Sequence, residues 1–270
     1  MPLHSASGLA ATVIIPARFA STRFPAKIIA TETGKPLVQH VVDQVRKCKQ
    51  IQDVIVAVDD QRIVDALRPF GTRCVMTSAS HVSGTDRVAE VAKGLSDQVI
   101  VNVQGDEPEI EPQIVDELVE RLADKNVRPP NFTGEEMATA ATPFPQGADP
   151  ANPNLVKVAM TLDGKAMYFS RSVIPHQRDA ATNRPAYYLH LGIYAYRRDF
   201  LLRYTAWGPT PCELAEKLEQ LRALEHGAAI GVVKVKRAAH GIDTPEQYAD
   251  FVRRFLARER QAGQTEQARA

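Results

Sequence analysis

The chain lacks an excess of charge of either sign, because its 33 lysines and arginines are balanced by 32 aspartates and glutamates and its formal net charge is +1. This balance excludes a role in which bulk electrostatic attraction holds a nucleic acid or a membrane surface. A basic stripe with interleaved aromatic residues is also missing. We therefore expect small-molecule partners and no nucleic acid.

Cysteine is scarce, and Cys48, Cys74 and Cys212 are far apart in the chain. Because their number is odd and their spacing matches no zinc motif, they are typical of a protein in a reducing compartment. The sequence also lacks a basic leader and any apolar run near the ~20 residues that span a bilayer, so it predicts neither a signal peptide nor a membrane span. We expect a cytoplasmic protein that does not bind membranes.

The first half of the chain alternates short apolar runs with amphipathic segments. Such an alternation predicts an α/β fold with buried, mostly parallel strands and helices on both faces of the sheet. Strands are expected at 12–15, 54–58, 74–76 and 99–103, and helices at 37–48, 62–70, 86–93 and 114–122.

The second half has a more mixed pattern. We interpret the polar segment 124–136 as a surface loop and 261–270 as a frayed tail. The dipeptide Asp163-Gly164 is a hairpin signal, and Thr244 followed by Pro245 and Gln247 predicts the start of a helix. Strands are expected at 137–142, 156–161, 166–169, 191–196 and 230–235, and helices at 213–226 and from 245 toward 258.

A cluster of cations follows the first predicted strand. Arg18, Arg23 and Lys27 lie close together, with the hydroxyl residues Ser21 and Thr22 between them. In open α/β sheets, ligands bind outside the carboxyl ends of the strands, which is where this loop is expected. Any one of these residues is more simply a solvated surface cation, but the three together predict an anion site that suits a polyphosphate.

Two aspartates are candidate metal ligands. Asp106 follows the fourth predicted strand, at the same sheet edge as the cationic loop, and Mg²⁺ takes one or two carboxylates together with substrate oxygens. Turn formation at Gly105-Asp106 explains this residue equally well. Asp243 precedes a helix start, where the dipole favours any carboxylate, so a metal role for it depends on partnership with Asp106.

The segment 77–85 is rich in hydroxyl side chains and leads into a predicted helix. Its hydroxyls and backbone N–H groups suit the polar edge of a base. Ordinary helix capping accounts for the same composition.

These motifs resemble those of the 3-deoxy-manno-octulosonate (Kdo) cytidylyltransferase family, and the resemblance covers nearly the whole chain. The matching stretches are IPARFASTRFPAK (15–27), GKP (34–36), HVSGTDR (81–87), VNVQGDEP (101–108), NPN and VKV (152–158), YFSRSVIP (168–175), LHLGIYAYR (189–197), LEQLR (218–222) and GIDTPEQ (241–247). The chain departs from the family pattern at the polar insertion 125–136, at His176-Gln177, where many members have Trp-Asp, and at Cys212, where Ser is usual.

The resemblance implies a Rossmann-like nucleotidyltransferase fold in a single domain over 1–270. Residues 10–123 would form its nucleotide-binding half and residues 137–260 its sugar-binding and dimerisation half. The implied reaction is in-line attack of the anomeric hydroxyl of Kdo on the α-phosphorus of CTP, which gives CMP-Kdo and pyrophosphate for lipopolysaccharide biosynthesis. The resemblance also implies Mg²⁺ as cofactor and a homodimer.

The resemblance assigns roles residue by residue. Arg18, Lys27, Asp106 and Asp243 are the implied catalytic residues, the two aspartates as metal ligands. The implied CTP contacts are Arg18, Arg23, Lys27, Thr77, Ser83, Gly84, Thr85 and Asp106. The implied Kdo contacts are Gln104, Arg171, His190, Tyr194, Glu219 and Gln220. Without the resemblance, most of these sugar-side residues would be interpreted as structural, and we prefer a metal-activated hydroxyl to His190 as the base.

Two alternatives stay open at this point. The first is a cytidylyltransferase for another acidic sugar, such as a sialic acid or an amino analogue of Kdo, because selectivity of this kind depends on a few pocket contacts. The second is a non-catalytic module that binds CTP. The joint presence of Lys27, Asp106 and Asp243 argues against the second, since a sensor has no need of two metal ligands. A purely structural subunit would leave the cationic loop unexplained.

Overall fold

A computed structural model describes residues 10–123, 134–179, 187–236 and 241–267 of the chain. The strands of these residues are β1 (Ala11–Ala17), β2 (Asp53–Val58), β3 (Cys74–Met76), β4 (Val99–Asn102), β5 (Met137–Pro143), β6 (Lys157–Met160), β7 (Ala166–Ser170), β8 (Tyr188–Arg197) and β9 (Ile230–Lys234). The helices are α1 (Leu37–Val45), α2 (Gln61–Leu67), α3 (Gly84–Lys93), α4 (Pro112–Ala123), α5 (Arg198–Tyr204), α6 (Pro211–Glu216), α7 (Leu221–Glu225) and α8 (Pro245–Gln267).

The strands form one sheet in the order β3-β2-β1-β4-β8-β5-β9, and β6 joins it through β8 and carries the β6–β7 hairpin. Strands β1 to β4 are parallel, β8 is antiparallel to both of its neighbours, and β5 and β9 are parallel. The expected mostly parallel α/β sheet is therefore confirmed. The hairpin predicted at Asp163-Gly164 is also present, with Gly164 at φ 80° in its turn.

Alternate residues of the central strands enter two separate cores, as the period of a β-strand requires. Val13 and Ile15 of β1 pack with α1 and α4 on one face of the sheet, whereas Ile14 packs with α3 and α5 on the other. All three side chains are fully buried. The buried runs of β1, β2 and β4 are apolar throughout because both faces of these strands are covered.

The second half differs from expectation in three details. The helix expected at 213–226 is two helices, because Lys217 adopts a left-handed conformation (φ 54°, ψ 46°) that ends α6. Helix α5 was not expected. Helix α8 continues to Gln267, so residues 261–267 are helical and not a frayed tail. Of the expected loop at 124–136, residues 124–133 lie outside the described part of the chain.

Helix α8 packs against the cationic loop and against α1. Tyr248 contacts the ring of Phe24 at 5.5 Å, and Phe251 and Phe255 contact the ring of His40 on α1. The expected helix start is confirmed, since Thr244 Oγ1 accepts from the backbone N–H of Gln247 at 3.3 Å. This packing holds the residues just before α8 beside the cationic loop.

The buried His40 predicts a loss of stability in mild acid. Burial lowers the pKa of His40 to about 4, Lys35 acts in the same direction, and Asp43 opposes it. An unfolded histidine titrates near 6.5, so the unfolded chain binds more protons between these values. The stability that depends on a neutral His40 is therefore complete above about pH 6.5. On acidification to about pH 5, the free energy of unfolding falls by roughly 2 kcal/mol because of this residue.

Chemical denaturation of the wild type and of His40→Gln at about pH 7 and about pH 5 measures this effect. Glutamine does not titrate, so the variant is expected to lose less stability on acidification than the wild type. The difference between the two proteins isolates His40 from other titrating groups. Equal losses in both proteins would contradict the assignment.

Candidate active site

A cavity of about 900 Å³ lies beyond the carboxyl ends of β1 and β4. The loop after β1 supplies Arg18, Arg23 and Lys27 to its wall, the loop after β4 supplies Asp106, and Asp243 reaches it from the start of α8. Parallel pairing of β1 with β4 brings the ends of these two strands together. The expectation that the cations and Asp106 share one sheet edge is confirmed.

Lys27 lies between the two carboxylates. Its Nζ is 2.5 Å from Asp106 Oδ2 and 3.4 Å from Asp243 Oδ1, and it donates to the carbonyl of Ile242 at 2.7 Å. The Lys27 side chain is only 13% exposed. Arg23 Nη2 approaches Asp243 Oδ1 at 2.8 Å from the solvent side. The two aspartates, far apart in sequence, thus converge on one cationic group.

Close packing of the backbone sets this geometry. A Cβ on Gly105 would lie 2.9 Å from Ile28 Cδ1 and 3.0 Å from the carbonyl oxygen of Pro16, so only glycine lets this loop approach β1 so closely. The backbone N–H of Ile242 donates to the carbonyl of Asp106 at 2.9 Å, which ties the two aspartate-bearing segments together.

The donor set suits one kind of metal ion. The described residues contain no group of three or more His, Cys, Asp or Glu side chains placed to hold a metal. A pair of carboxylates is too few for a structural zinc site but matches Mg²⁺, which keeps water and substrate oxygens as its other ligands. The Lys27 ammonium contacts both carboxylates and so stands where a cation would be held.

The segment 77–85 is used mainly for structure. Ser83 caps α3 in a reciprocal capping box with Asp86, as the capping interpretation expects. The Thr77 side chain is buried, and its hydroxyl donates to the carbonyl of Val58 and accepts from Arg87. Of the four CTP contacts predicted here, only Gly84 lines the large cavity.

A second cavity of about 230 Å³ adjoins the first, because Gly84 and Gln104 line both. It contains four of the six predicted sugar contacts, and Thr85, predicted to contact CTP, also lines it. Its wall is formed by Gly84, Thr85, Asn102, Gln104, Met137, Tyr194, Tyr196, Tyr204, Glu219 and Gln220. The ends of β4 and β8 and the turn between α6 and α7 together build this pocket.

His190 lies in a third cavity, of about 290 Å³, together with Glu107 and Asn154. Its Nε2 is 3.0 Å from Thr139 Oγ1, and its ring is 5.6 Å from that of Tyr194. Burial lowers the pKa of His190 to about 3. An imidazole of such low basicity is a poor general base at neutral pH, which agrees with our preference against that role.

Comparison with known proteins shows to which family a chain with these cavities belongs. A family model described as cytidylyltransferase matches residues 12–233. A 3-deoxy-manno-octulosonate cytidylyltransferase of Geobacter metallireducens is 47% identical over 254 residues, which cover 90% of this chain and 97% of that protein. The relative of the same description from Geobacter sulfurreducens is 48% identical over 87% of this chain and 94% of its own. The chain belongs to the 3-deoxy-manno-octulosonate cytidylyltransferase family.

Solved structures agree with this assignment. A CMP:2-keto-3-deoxy-manno-octonic acid synthetase complexed with CTP superimposes with a TM-score of 0.84 at 38% identity, over 93% of this chain and 99% of that one. A 4-diphosphocytidyl-2C-methyl-D-erythritol synthase from Anaerococcus prevotii has a TM-score of 0.60 at 15% identity, over 93% of this chain and 97% of that one, and so shares the fold. Among the described helices, none combines the length and apolar character needed to cross a bilayer.

Within this family fold, Arg171 lies outside the linings of all three cavities. Its guanidinium donates to three backbone carbonyls, those of Glu216 at 2.7 Å, Pro153 at 2.8 Å and Lys217 at 3.4 Å. These hydrogen bonds stabilise the C-terminal end of α6. The chain reverses its direction there and then reaches Glu219. A direct sugar contact by Arg171 stays a prediction, but the structure gives this side chain a place in holding the turn.

Replacing Arg171 by alanine is expected to raise the KM for the sugar roughly tenfold with little change in the affinity for CTP. The physical reason is that loss of three charged hydrogen bonds loosens the turn that carries Glu219 and Gln220. A double-mutant cycle with Glu219→Gln distinguishes the two roles, because the effects of an anchoring residue and the residue it anchors are not additive. Additive effects would favour the direct contact instead.

Several lining residues were not predicted. Tyr196 and Tyr204 received no role in the sequence analysis, although both line the second cavity, and Asn102 belongs to a recognised motif but also received no role. The sequence feature that could have identified Asn102 is its amide side chain, which stands at the end of an otherwise apolar strand. Glu107 was also missed, and its pKa is raised to about 8 by burial and by the neighbouring Asp106 carboxylate.

Proposed function

We propose that the protein transfers CMP from CTP to the anomeric hydroxyl of Kdo and releases pyrophosphate. The observation that carries this proposal is the junction of two unlike cavities at Gln104 and Gly84. One cavity is lined by three cations and two carboxylates and suits a metal-bound triphosphate, and the other is lined by amides and tyrosines and suits a polyhydroxylated sugar. The names of the relatives point to the same two substrates.

The reaction proceeds by a direct exchange of bonds at the α-phosphorus. The sugar hydroxyl gives up its proton to water and its oxygen forms a new P–O bond. The bond between the α-phosphorus and the bridging oxygen to the β-phosphate breaks, and pyrophosphate leaves with its electron pair. Arg18, Arg23 and Lys27 neutralise the phosphate charges as they shift toward the leaving group. Catalysis consists mainly of positioning and electrostatic stabilisation, as in other phosphoryl-type transfers.

Asp106 and Asp243 are proposed to hold Mg²⁺. When bound, this ion would supply positive charge to the phosphate groups and would make the sugar hydroxyl easier to deprotonate. Lys27, which contacts both carboxylates here, would then be available to pair with the triphosphate. Because the pKa of His190 is about 3, the aspartate pair is the better place for activation of the sugar hydroxyl.

We further propose that the enzyme is a cytoplasmic homodimer that activates Kdo for lipopolysaccharide assembly. The β6–β7 hairpin supports the dimer, since Leu162 in its turn and Met167 on β7 are large apolar side chains left exposed in the single chain. Burial of such residues against a second copy would remove apolar surface from water.

Pyrophosphate release from CTP and Mg²⁺ tests the function, with Kdo, with N-acetylneuraminate and with no sugar as parallel samples. Release with Kdo alone, together with CMP-Kdo as the product, is expected. Release with the sialic acid alone would favour the other sugar specificity. If neither sugar supports release while CTP still binds, the protein is a nucleotide-binding module and the catalytic proposal is wrong.

A further inference from the structure

Three residues that line the second cavity carry a buried polar side-chain atom without a partner. Among the described residues, five buried side-chain nitrogen or oxygen atoms have no hydrogen-bond partner. Asn102 Oδ1, Glu219 Oε1 and Gln220 Nε2 are three of these five, and all three residues line the cavity of about 230 Å³. Asn102 is 1% exposed and Gln220 is 3% exposed, so both side chains are almost completely buried.

An orphaned polar atom of this kind destabilises the ligand-free protein. Burial removes its hydrogen bonds to water, and no protein group replaces them. Native proteins therefore contain few such atoms, and each one calls for an explanation. Three of them in a single cavity are explained by a ligand that pairs with all three when it binds.

Asn102 is held rigidly at this position. It is the last residue of β4, where it pairs with Ile14 of β1 on one side and with Tyr194 of β8 on the other. Backbone pairing on both sides fixes where its side chain begins, at the wall of the cavity. Gln104, two residues later, lines the same cavity and also reaches the triphosphate side.

The lining of the cavity indicates which part of a ligand enters. Among the residues that the structure describes, neither a lysine nor an arginine lines this cavity, and Glu219 contributes a carboxyl group. An acidic group of a ligand would be unpaired there and would repel Glu219. Hydroxyl groups, in contrast, can donate to Asn102 Oδ1 and Glu219 Oε1 and accept from Gln220 Nε2.

We propose that Asn102 is a further sugar-binding residue, whose side-chain oxygen accepts a hydrogen bond from a hydroxyl group in the polyhydroxylated part of the sugar. This inference rests on the proposed function and deepens it. It places the hydroxylated part of the sugar among Asn102, Glu219 and Gln220, and it places the acidic group outside this cavity. Selection against sugars that lack the matching hydroxyl follows, because Asn102 would then stay unpaired.

The test is Asn102→Ala, with Gln39→Ala as the matched control. Gln39 is an equally buried amide (1% exposed) outside the three cavities, but both ends of its side chain are hydrogen-bonded, to Asp43 at 2.7 Å and to Thr72 at 2.7 Å. For Asn102→Ala we expect the KM and the Kd for Kdo to rise roughly five- to tenfold. The Kd for CTP is expected to stay unchanged. We expect no decrease in the Tm of its ligand-free form, whereas the Tm of Gln39→Ala falls and its KM for Kdo does not change.

Single-deoxy analogues of Kdo identify the hydroxyl group. With the analogue that lacks the hydroxyl bound by Asn102, the wild type and Asn102→Ala are expected to have the same affinity. A KM and Kd for Kdo within twofold of wild type would overturn the proposal, as would a fall in Tm with equal losses for both substrates.

Calorimetric titration with Kdo separates this inference from the proposed function. If the wild type binds Kdo without turnover, the catalytic proposal fails, while the Kd of Asn102→Ala still decides the role of Asn102. If the wild type neither binds nor converts Kdo, both proposals are overturned.

Discussion

Replacement of Asp106 by asparagine is expected to lower the kcat of CMP transfer by roughly a hundred- to a thousandfold. Asparagine keeps the shape of the side chain but removes the negative charge, which is one of the two carboxylate charges that the described residues place in the wall of the large cavity. The proposed metal ion would lose half of its protein ligands, and Lys27 would lose its 2.5 Å partner. Pyrophosphate release at saturating CTP and Kdo measures the effect.

The matched control for this substitution is Asp43→Asn. Asp43 also forms an ion pair with a lysine, Lys35, and its side chain is 34% exposed compared with 27% for Asp106. It lines none of the three cavities. A similar small loss of stability is expected in both variants, but a large loss of turnover only in Asp106→Asn. A kcat within tenfold of the wild type would remove Asp106 from the proposed metal site.

Much of the architecture was predictable because it depends on local patterns. Short apolar runs predicted the parallel strands, because strands covered on both faces are apolar throughout. The α/β fold class then predicted that ligands bind at the carboxyl ends of these strands. Arg18, Lys27 and Asp106 could therefore be placed together before any coordinates were known. Asp243 was a conditional candidate, because its own sequence context explains only a helix start, and the resemblance to the family gave it the role of second metal ligand.

The remaining features depend on contacts between distant segments. Nothing in the composition around Lys217 indicates a break, because no glycine or proline marks it, and the carbonyls at this reversal are held by Arg171, more than 40 residues away. The partners of Arg171 were equally hidden in the sequence, since a cation suits a sugar carboxylate as well as backbone carbonyls. Whether Asn102 lacks a partner can be seen only when all of its neighbours are in place.

Replacement of Lys27 by methionine is expected to have two opposite effects. Turnover falls by roughly a hundredfold, because a charge that neutralises the triphosphate is lost. The affinity of the nucleotide-free protein for a divalent cation rises instead, by roughly tenfold or about 1.4 kcal/mol. The ammonium group lies 2.5 Å from Asp106 and 3.4 Å from Asp243, so in the absence of CTP it competes with a metal ion for the same oxygens.

Titration of nucleotide-free protein with Mn²⁺ measures the second effect without any turnover, and Arg23→Gln is the comparison. Arg23 also contacts Asp243, at 2.8 Å, but its side chain is 68% exposed against 13% for Lys27. Its charge is screened by water, and it does not touch Asp106, so its removal should change Mn²⁺ affinity far less. Equal changes in the two variants would mean that general positive charge, rather than the position of Lys27, controls the metal site. A larger gain for Lys27→Met would mean that the lysine occupies the cation position until the triphosphate draws it away, which couples metal binding to nucleotide binding.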